Sequence, residues 1–585
     1  MKSRVKALRA KTGLSQIKFA KVLGVAVATL RRWESGDTSP SPMALNRIEE
    51  LEALTDDDLT KECSKLAVDE VVSISEEMYK TEFRWNGVEH KAVWMPYVIN
   101  GPEDQLSFYK KLICMQENSK ANISDRCYFE RLSLLKSVDG IDTAQFRMEA
   151  PKPTAKSWSS DYGTHGFHRY VGRFPAHLIR ALINAFGADE NDTILDPFCG
   201  SGTTLVEARM LGIKAKGIEI SPLSAMISRV KSQFPDEGLQ VTELVSDLTI
   251  FYMNRWDEFV QNQDLDSFSY EEILKREGNT ISHFANIERW FTKEALLGTS
   301  IIVEFISNQT GYVKDFLTIA LSSKMRSIGN VDVDVVRAEY RKTPRQNVDV
   351  LKLVKSQILK MSREITNTIV SSKNIIGTQN DIEVIQGSVL NINLGRNSIS
   401  HIITSPPYGV ESLSYLRTHL LSFRALESIL GVDPYNFGEE VIGSEYLDKT
   451  SPDIQRFKVQ NVSKTYTAFF GGLLKKKVSG AEEKRILMMM KFFEDMYEVV
   501  AKFDEWLKPG GHVAFVIGNK KIGDDIIPTD TIITEIFERF GFGLDESIPH
   551  KLKTNNSNSQ VPWQDRIIEN EFVMLFTKES RKNEN

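Results

Sequence analysis

The run Thr404-Ser405-Pro406-Pro407-Tyr408-Gly409, entered from Ile402-Ile403, holds a small hydroxyl, two rigid prolines, an aromatic ring and a glycine. A serine hydroxyl and a proline-fixed carbonyl are two acceptors at a set spacing, and the tyrosine adds a flat apolar surface. Together they suit a planar group bearing an amine, such as a nucleobase drawn out of its stack. Ser405, Pro406, Pro407 and Tyr408 are therefore the candidate reacting residues. A second run, Asp196-Pro197-Phe198-Cys199-Gly200-Ser201-Gly202-Thr203-Thr204, sets glycines where a backbone can approach a ligand with no Cβ between. Glu219 stands about twenty residues on, at the end of an apolar stretch, where a carboxylate can accept from both hydroxyls of a ribose. No Gly-Lys-Ser/Thr follows these glycines, so they are not a nucleotide-hydrolase phosphate loop.

Both runs need a scaffold. Ile402-Ile403 reads as the end of a buried strand, and the prolines cannot continue its ladder, so the chain leaves the sheet as a stiff loop. Thr193-Ile194-Leu195, the glycine turn, a helix from Leu205 to Leu211 and the strand Lys216–Ile220 make the first unit of a Rossmann-like sheet. The alternation breaks over 230–380. There 287–291, 317–328 and 348–371 read as amphipathic helices around a basic cluster of Arg326, Arg337, Arg341, Lys342 and Arg345. This stretch suits either a DNA grip or a structural cap. Strands at 383–388 and 400–404 resume the pattern. A helix over 492–507 follows, closed by Lys508-Pro509-Gly510-Gly511, then a strand at 513–517 and a helix over 529–540. An antiparallel pair, 547–552 and 571–576, completes seven strands.

Composition bounds the class. The chain has 585 residues, 41% apolar and 26% charged, enough for several globular domains. No apolar run reaches the ~18–20 residues of a membrane span, and the basic N-terminus lacks the apolar core of a signal peptide. The four cysteines form no CxxC pair, which disfavours zinc and a disulfide framework and fits a reducing cytoplasm. His165-Gly166-Phe167-His168-Arg169-Tyr170 and Arg173-Phe174-Pro175-Ala176-His177 precede a helix from Leu178 to Phe186, a setting suited to an anion. Two nearby histidines without a matching Cys or carboxylate cluster give no reason to expect a metal. Residues 60–160 say least; Asn86-Gly87 and Asn100-Gly101 among aromatics suggest a small β-containing connector.

Net charge is −6, yet its distribution is uneven. Residues 1–33 carry Lys2, Arg4, Lys6, Arg9, Lys11, Lys18, Lys21, Arg31 and Arg32 and no acid. A one-signed stretch of that length suits a polyanion. Short helices separated by Gly13 and Gly24 give the helix-turn-helix layout. Leu14-Ser15-Gln16, Phe19-Ala20, Leu23-Gly24-Val25, Thr29, Trp33-Glu34-Ser35-Gly36 and Pro40 closely resemble the XRE/Cro repressor family. The resemblance implies DNA contacts from Gln16, Ala28, Thr29, Arg31 and Arg32, with the second helix in the major groove. Ala26 stands where that family usually has a polar residue, which implies fewer base contacts.

The glycine run and the Thr404–Tyr408 loop, with the strand count, resemble the class I S-adenosylmethionine-dependent methyltransferases, and more closely the cytosine-N4 DNA methyltransferases. That resemblance implies S-adenosylmethionine (SAM) as cofactor and duplex DNA as substrate, a restriction–modification or phage-defence setting and a cognate restriction nuclease as partner. It places Phe174 and Pro175 by the methionine moiety, and Asp196, Phe198, Gly200, Gly202 and Thr203 around the cofactor. Glu219 would lie on its ribose and Ser388 near its adenine. Ser388 stands where many relatives have Asp. The expected organisation is a helix-turn-helix domain at 1–55, a connector at 56–156, a methyltransferase domain at 157–230 and 380–580, and a helical insertion at 231–379 as a target-recognition region. No cysteine follows a proline, which removes the usual nucleophile of carbon-5 methylation. Adenine N6, RNA guanine N2 and a regulator with a SAM-sensing domain stay open. Serine at 405 leans toward cytosine N4, and the helix-turn-helix argues against RNA, whose major groove admits no helix.

Overall fold

The computed structural model describes residues 2–12, 19, 23, 30, 33–34, 40, 45, 48–49, 51–52, 80–85, 88–94, 135–138, 141–142, 162–170, 172–332, 338–341, 343–372, 377–409, 418–431, 440–442, 462–476, 479–523, 525–551 and 570–579. The chain forms two compact units, Met1–Lys80 and Thr81–Asn585.

In the first unit, helix α1 (Lys2–Thr12) ends just before Gly13, and Val5, Leu8, Phe19, Leu30, Trp33, Ile48 and Leu51 are buried. Two of the basic residues are held by acids of the same unit. Arg4 Nε donates to Glu52 at 2.9 Å, and Arg9 Nε donates to the buried Glu34 at 2.6 Å. Those two guanidiniums therefore brace the unit rather than extend its polyanion-facing charge. The expected DNA contacts Gln16, Ala28, Thr29, Arg31 and Arg32 lie outside the described residues.

Four strands, β1 (Lys80–Trp85), β2 (Val88–Trp94), β3 (Leu135–Val138) and β4 (Ile141–Asp142), form a sheet in chain order, with β2–β3 and β3–β4 antiparallel. The Asn86-Gly87 turn signal falls between the first two, so the stretch expected to be a connector contains β structure.

The main sheet is built from β5 (Thr193–Asp196), β6 (Lys214–Glu219), β7 (Ile382–Gln386), β8 (Ile399–Thr404) and β9 (Leu507–Gly518). It is completed, after the short antiparallel pair β10 (Lys521–Ile522) and β11 (Asp525–Ile526), by β12 (Phe542–Lys551) and β13 (Asn570–Lys578). Its order is β12-β13-β9-β8-β5-β6-β7, the seven-stranded Rossmann-like sheet expected. β9, β8, β5, β6 and β7 run parallel, and β13 is antiparallel to both its neighbours. The chain runs outward from β5 to β6 and β7, then returns to β8 on the other side of β5. A doubly wound sheet opens a crevice where its direction of winding reverses, outside the carboxyl ends of those strands. The glycine loop leaves β5 there and the Thr404–Gly409 loop leaves β8.

One expected boundary moves. Lys508–Gly511 is not a turn closing a helix but part of β9. Ile399 pairs with Leu507 and His401 with His512, so the register shift absorbs these residues as a bulge. The preceding helix is also longer than its apolar stripe suggests. It begins at Gly480 behind a Ser479/Glu482 capping box and runs to Trp506.

Two cores flank the sheet. One joins this long helix, the helix over Thr529–Arg539 and the sheet through residues such as Phe493, Trp506, Phe537 and Phe576. The other unites α4 (Pro222–Ser232) with the inserted helices and reaches Phe167 and Leu426. In chain order the helices named here are α1, α2 (Ala176–Ala185), α3 (Thr203–Met210), α4, α5 (Thr242–Val260), α6 (Lys293–Ser307), α7 (Gly311–Ile328), α8 (Val350–Ser372), α9 (Gly480–Trp506) and α10 (Thr529–Arg539). The helices between β6 and β7 thus share one core with α4 of the sheet unit. Gln357 of α8 donates to the Phe167 carbonyl at 2.9 Å. Within the basic cluster, Arg345 Nε donates to the Gly329 carbonyl at 3.2 Å and Arg326 Nη2 to the Asp332 carbonyl at 2.6 Å. Arg345 thus caps the chain end of α7, and Arg326 pins the segment that follows it; Arg337 and Lys342 lie outside the described residues. Among the described residues, no helix is long and apolar enough to cross a membrane.

Candidate active site

β5 and β8 are adjacent and parallel, with Leu195 opposite Ile402. Their last residues, Asp196 and Thr404, therefore meet at the crevice. Asp196 Oδ1 accepts from Thr404 Oγ1 at 2.8 Å, and Oδ2 accepts from Thr204 Oγ1 at 2.7 Å. The Phe198 N–H also points at Oδ1, 3.2 Å away. One buried carboxylate thus ties three things: the end of β5, the start of α3 and the root of the proline loop. Burial pushes its pKa up to about 6, against the opposing effect of the two threonine hydroxyls.

The glycine loop is shaped by backbone demands. Gly202 caps α3 with φ +79°, and a Cβ there would lie 2.3 Å from Ser228 Oγ of α4. Gly200 also has positive φ, and a Cβ there would come within 3.4 Å of the Tyr170 ring. Thr203 is buried in the first turn of the helix. Glu219, partly buried at the end of β6, accepts from the Gly200 N–H at 2.9 Å and from the Ser221 N–H at 2.8 Å. Desolvation raises its pKa to about 7, offset in part by those N–H groups and reinforced by the Asp196 charge. Each Glu219 oxygen keeps a lone pair beyond these bonds. Gly387 N–H, donating to the Glu219 carbonyl at 2.9 Å, brings the buried Ser388 to the neighbouring strand end. Phe174 and Pro175 are partly buried, and the Pro175 carbonyl accepts from the Leu178 N–H at 3.0 Å at the start of α2. A bare-backbone cradle beside a strand-end carboxylate fits an adenosyl cofactor: the glycines exclude side-chain bulk and the acid can accept from hydroxyls.

At the β8 loop, Pro406 is buried, while Ser405, Pro407 and Tyr408 are partly exposed. Gly409 turns with φ +77° against Met489 of α9. The Ser405 hydroxyl donates to Tyr408 Oη at 3.0 Å, and Tyr408 Oη donates to Glu571 Oε1 of β13 at 2.9 Å. The Tyr408 hydroxyl therefore links the serine to a carboxylate. Glu571 gave no signal in the sequence, because it lies 163 residues from Tyr408 inside an ordinary apolar strand.

The segment before α2 holds further residues that local sequence could not assign. His165 is buried, with Nε2 2.7 Å from Glu207 Oε1 of α3, and Glu207 Oε2 accepts from Arg180 of α2. Tyr162 donates to the same carboxylate. Burial alone would raise the Glu207 carboxyl, but the Arg180 charge and the hydrogen bonds hold it at about 2. Arg173 Nη1 donates to the His165 carbonyl at 2.7 Å. His165 thus ties this segment to the helix after the glycine loop, and Arg173 braces the segment itself. Tyr170 bonds Ser224 of α4 at 3.1 Å and stacks on His419, so its ring roofs Gly200 from a fixed position.

Residues 61–228 match the DNA methylase family, and residues 5–51 match the helix-turn-helix family. The chain is 24% identical over 448 residues to the Type II methyltransferase M.BsoBI of Geobacillus stearothermophilus, covering 71% of this chain and 85% of the relative. It is 26% identical over 450 residues to the Type II methyltransferase M.MvaI of Kocuria varians, covering 71% and 91%. A stretch of 51 residues is 41% identical to the tRNA (guanine(10)-N2)-dimethyltransferase of Methanothermobacter thermautotrophicus, covering 9% of this chain and 15% of the relative.

Proposed function

We propose, given that this chain is a DNA methylase with an N-terminal helix-turn-helix domain and SAM as methyl donor, that its target is the exocyclic N4 of cytosine in duplex DNA. The observation that carries this reading is the junction of the two loops through Asp196 and Thr404, with serine at the acceptor position beyond it. Its setting is a restriction–modification or phage-defence system with a cognate nuclease. In this reading residues 157–230 and 380–580 carry the transfer, 231–379 contribute to target recognition, and 1–55 bind DNA through Gln16, Ala28, Thr29, Arg31 and Arg32.

An exocyclic amine is a weak nucleophile because its lone pair is delocalised into the ring. Ser405 Oγ and the Pro406 carbonyl accept its two N–H groups and favour a more tetrahedral nitrogen, whose lone pair is freed. Tyr408 offers a ring face to the extruded base, whose unstacking costs a few kcal/mol. Bound SAM supplies a methyl group on a sulfonium leaving group. Phe174, Pro175, Asp196, Phe198, Gly200, Gly202, Thr203, Glu219 and Ser388 would hold that donor. The loop junction then contributes alignment of nitrogen with methyl, which accounts for several kcal/mol of a barrier when geometry is near-attack.

The test is base-resolution mapping of DNA from cells expressing the protein. N4-methylcytosine at one recurrent motif is the expected result. N6-methyladenine at such a motif moves the target to adenine, and no modified base, with tight binding to a promoter, favours the regulator reading. Because residues 1–55 form a distinct sequence module, we also propose that they repress the protein's own promoter. Deleting them without changing promoter occupancy or expression refutes this.

A further inference from the structure

The methylated nitrogen leaves the reaction with one proton too many, and the proline loop itself holds no base. We propose that Glu571, reached through Tyr408 and Ser405, is the acceptor of that proton. The inference rests on the amine-methylation reading above and assigns a role to a residue that neither the motif nor the family match, which ends at residue 228, includes.

The geometry points this way in three respects. The hydrogen bonds form a continuous line, Ser405 Oγ–H to Tyr408 Oη at 3.0 Å and Tyr408 O–H to Glu571 Oε1 at 2.9 Å. Both donate in the same sense, toward the carboxylate. A tyrosine hydroxyl bonded to a carboxylate is charge-assisted and sets the polarity of the hydroxyl before it. Ser405 Oγ, having given its proton toward Tyr408, presents lone pairs outward. That is the orientation an amine N–H requires of an acceptor.

The step balances. The nitrogen–methyl bond forms as the methyl–sulfur bond breaks, and sulfur keeps the bonding pair. The nitrogen then releases a proton to Ser405 Oγ as the Ser405 proton passes to Tyr408 Oη and the Tyr408 proton to Glu571 Oε1. Glu571 ends neutral and both hydroxyls are restored. The carboxyl then exchanges its proton with solvent.

Glu571 lies on β13 between two strands. Its register partner is Gly518 on β9 and His550 on β12. Among the described residues, His550 is the titratable residue type in register with it, and the test must separate the two. Glu571 acts through two other side chains, so it is a positioning and proton-accepting residue rather than one in contact with substrate.

The experiment uses the full-length protein, SAM and unmethylated plasmid DNA in single-turnover methylation across pH, for wild type, Glu571→Gln, Tyr408→Phe, the double variant and His550→Gln. Wild type is expected to show an acidic limb. Glu571→Gln should lower the rate at least tenfold, abolish that limb and leave SAM affinity unchanged. The double variant should be no slower than the slower single one. Independently of turnover, protein carrying carboxyl-13C glutamate should show the Glu571 resonance, assigned by its loss in Glu571→Gln, shifting in Tyr408→Phe. A wild-type rate and limb in Glu571→Gln overturns the proposal, as does loss of the limb in His550→Gln alone. Failure of wild type to methylate any DNA overturns the amine-methylation reading instead.

Discussion

Thr404 and Asp196, 208 residues apart in sequence, share a 2.8 Å hydrogen bond at the carboxyl ends of adjacent strands. In the proposed function this bond joins the loop that would hold the target to the loop that would hold the donor. Both residues are buried, so removing the hydroxyl leaves a desolvated carboxylate oxygen short of a donor. Thr404→Val is expected to cost about 1–3 kcal/mol of stability and to weaken SAM binding, as measured by urea unfolding and calorimetry. Ser405→Ala, one residue on at the partly exposed lip, should leave unfolding unchanged and slow methyl transfer about a hundredfold. Equal effects of the two changes on stability would contradict this division of labour.

Glu219 predicts a pH dependence of cofactor binding. Its carboxyl titrates at about 7, so the acceptor form dominates only above that pH. SAM affinity should be flat above about pH 7 and fall by at most about tenfold per unit below it. Glu219→Gln should bind more weakly and lack this slope. Asp196, raised to about 6, loses its charge at lower pH, and because that charge raises the Glu219 carboxyl its loss makes the fall shallower there. Calorimetric titrations between pH 5.5 and 8.5 decide the matter.

Gly202 allows no side chain. Its φ of +79° strains any L residue, and the added Cβ meets Ser228 Oγ at 2.3 Å and Ser228 Cα at 3.0 Å. Gly202→Ala should lose about 1–3 kcal/mol from backbone strain alone, with SAM binding reduced below detection. Adding Ser228→Gly relieves the side-chain clash but not the strain, so recovery should be partial. Thermal unfolding with and without SAM measures both parts.

Glu207 is a buried ion-pair centre, shared by Arg180, His165 and Tyr162. Breaking it strands the Arg180 charge. Glu207→Gln should therefore destabilise the protein by about 3–5 kcal/mol, well above the loss at Thr404. A loss below about 1 kcal/mol in urea unfolding would show that the pair is not the tie between α2 and α3 argued here.

His168 makes the acid response asymmetric. Burial lowers its pKa to about 4, while the unfolded chain titrates near 6.5. Between those values the unfolded state binds more protons, so this residue removes up to about 3 kcal/mol of stability as pH falls from 6.5 to 4. Asp196 and Glu219 act in the opposite sense, since their folded pKa values are raised. His168→Gln should therefore flatten the acid decline in unfolding free energy across that window. An unchanged slope would refute the assignment.

Residue pattern alone set much of this molecule. The β-branched run Ile402-Ile403 ahead of two prolines meant a strand that must stop, and it stops at Thr404. The glycines after Leu195 meant a tight turn into a helix, because only they accept the positive φ found at Gly200 and Gly202. These are local demands, satisfied by neighbours within a few residues, and so they can be read from sequence. What lay beyond reach was partnership across the chain. Only the winding order of the sheet brings β5 beside β8 and makes Asp196 serve Thr404. Only the antiparallel return of β13 sets Glu571 against Tyr408, since nothing about a glutamate in Asn570–Lys578 marks it out. The same holds for His165, which local context offered as an anion contact and the packed fold pairs with Glu207. Side-chain type and short spacing decided the chemistry this protein can attempt. Tertiary contact decided which carboxylates, buried and hydrogen-bonded, stand where that chemistry needs them.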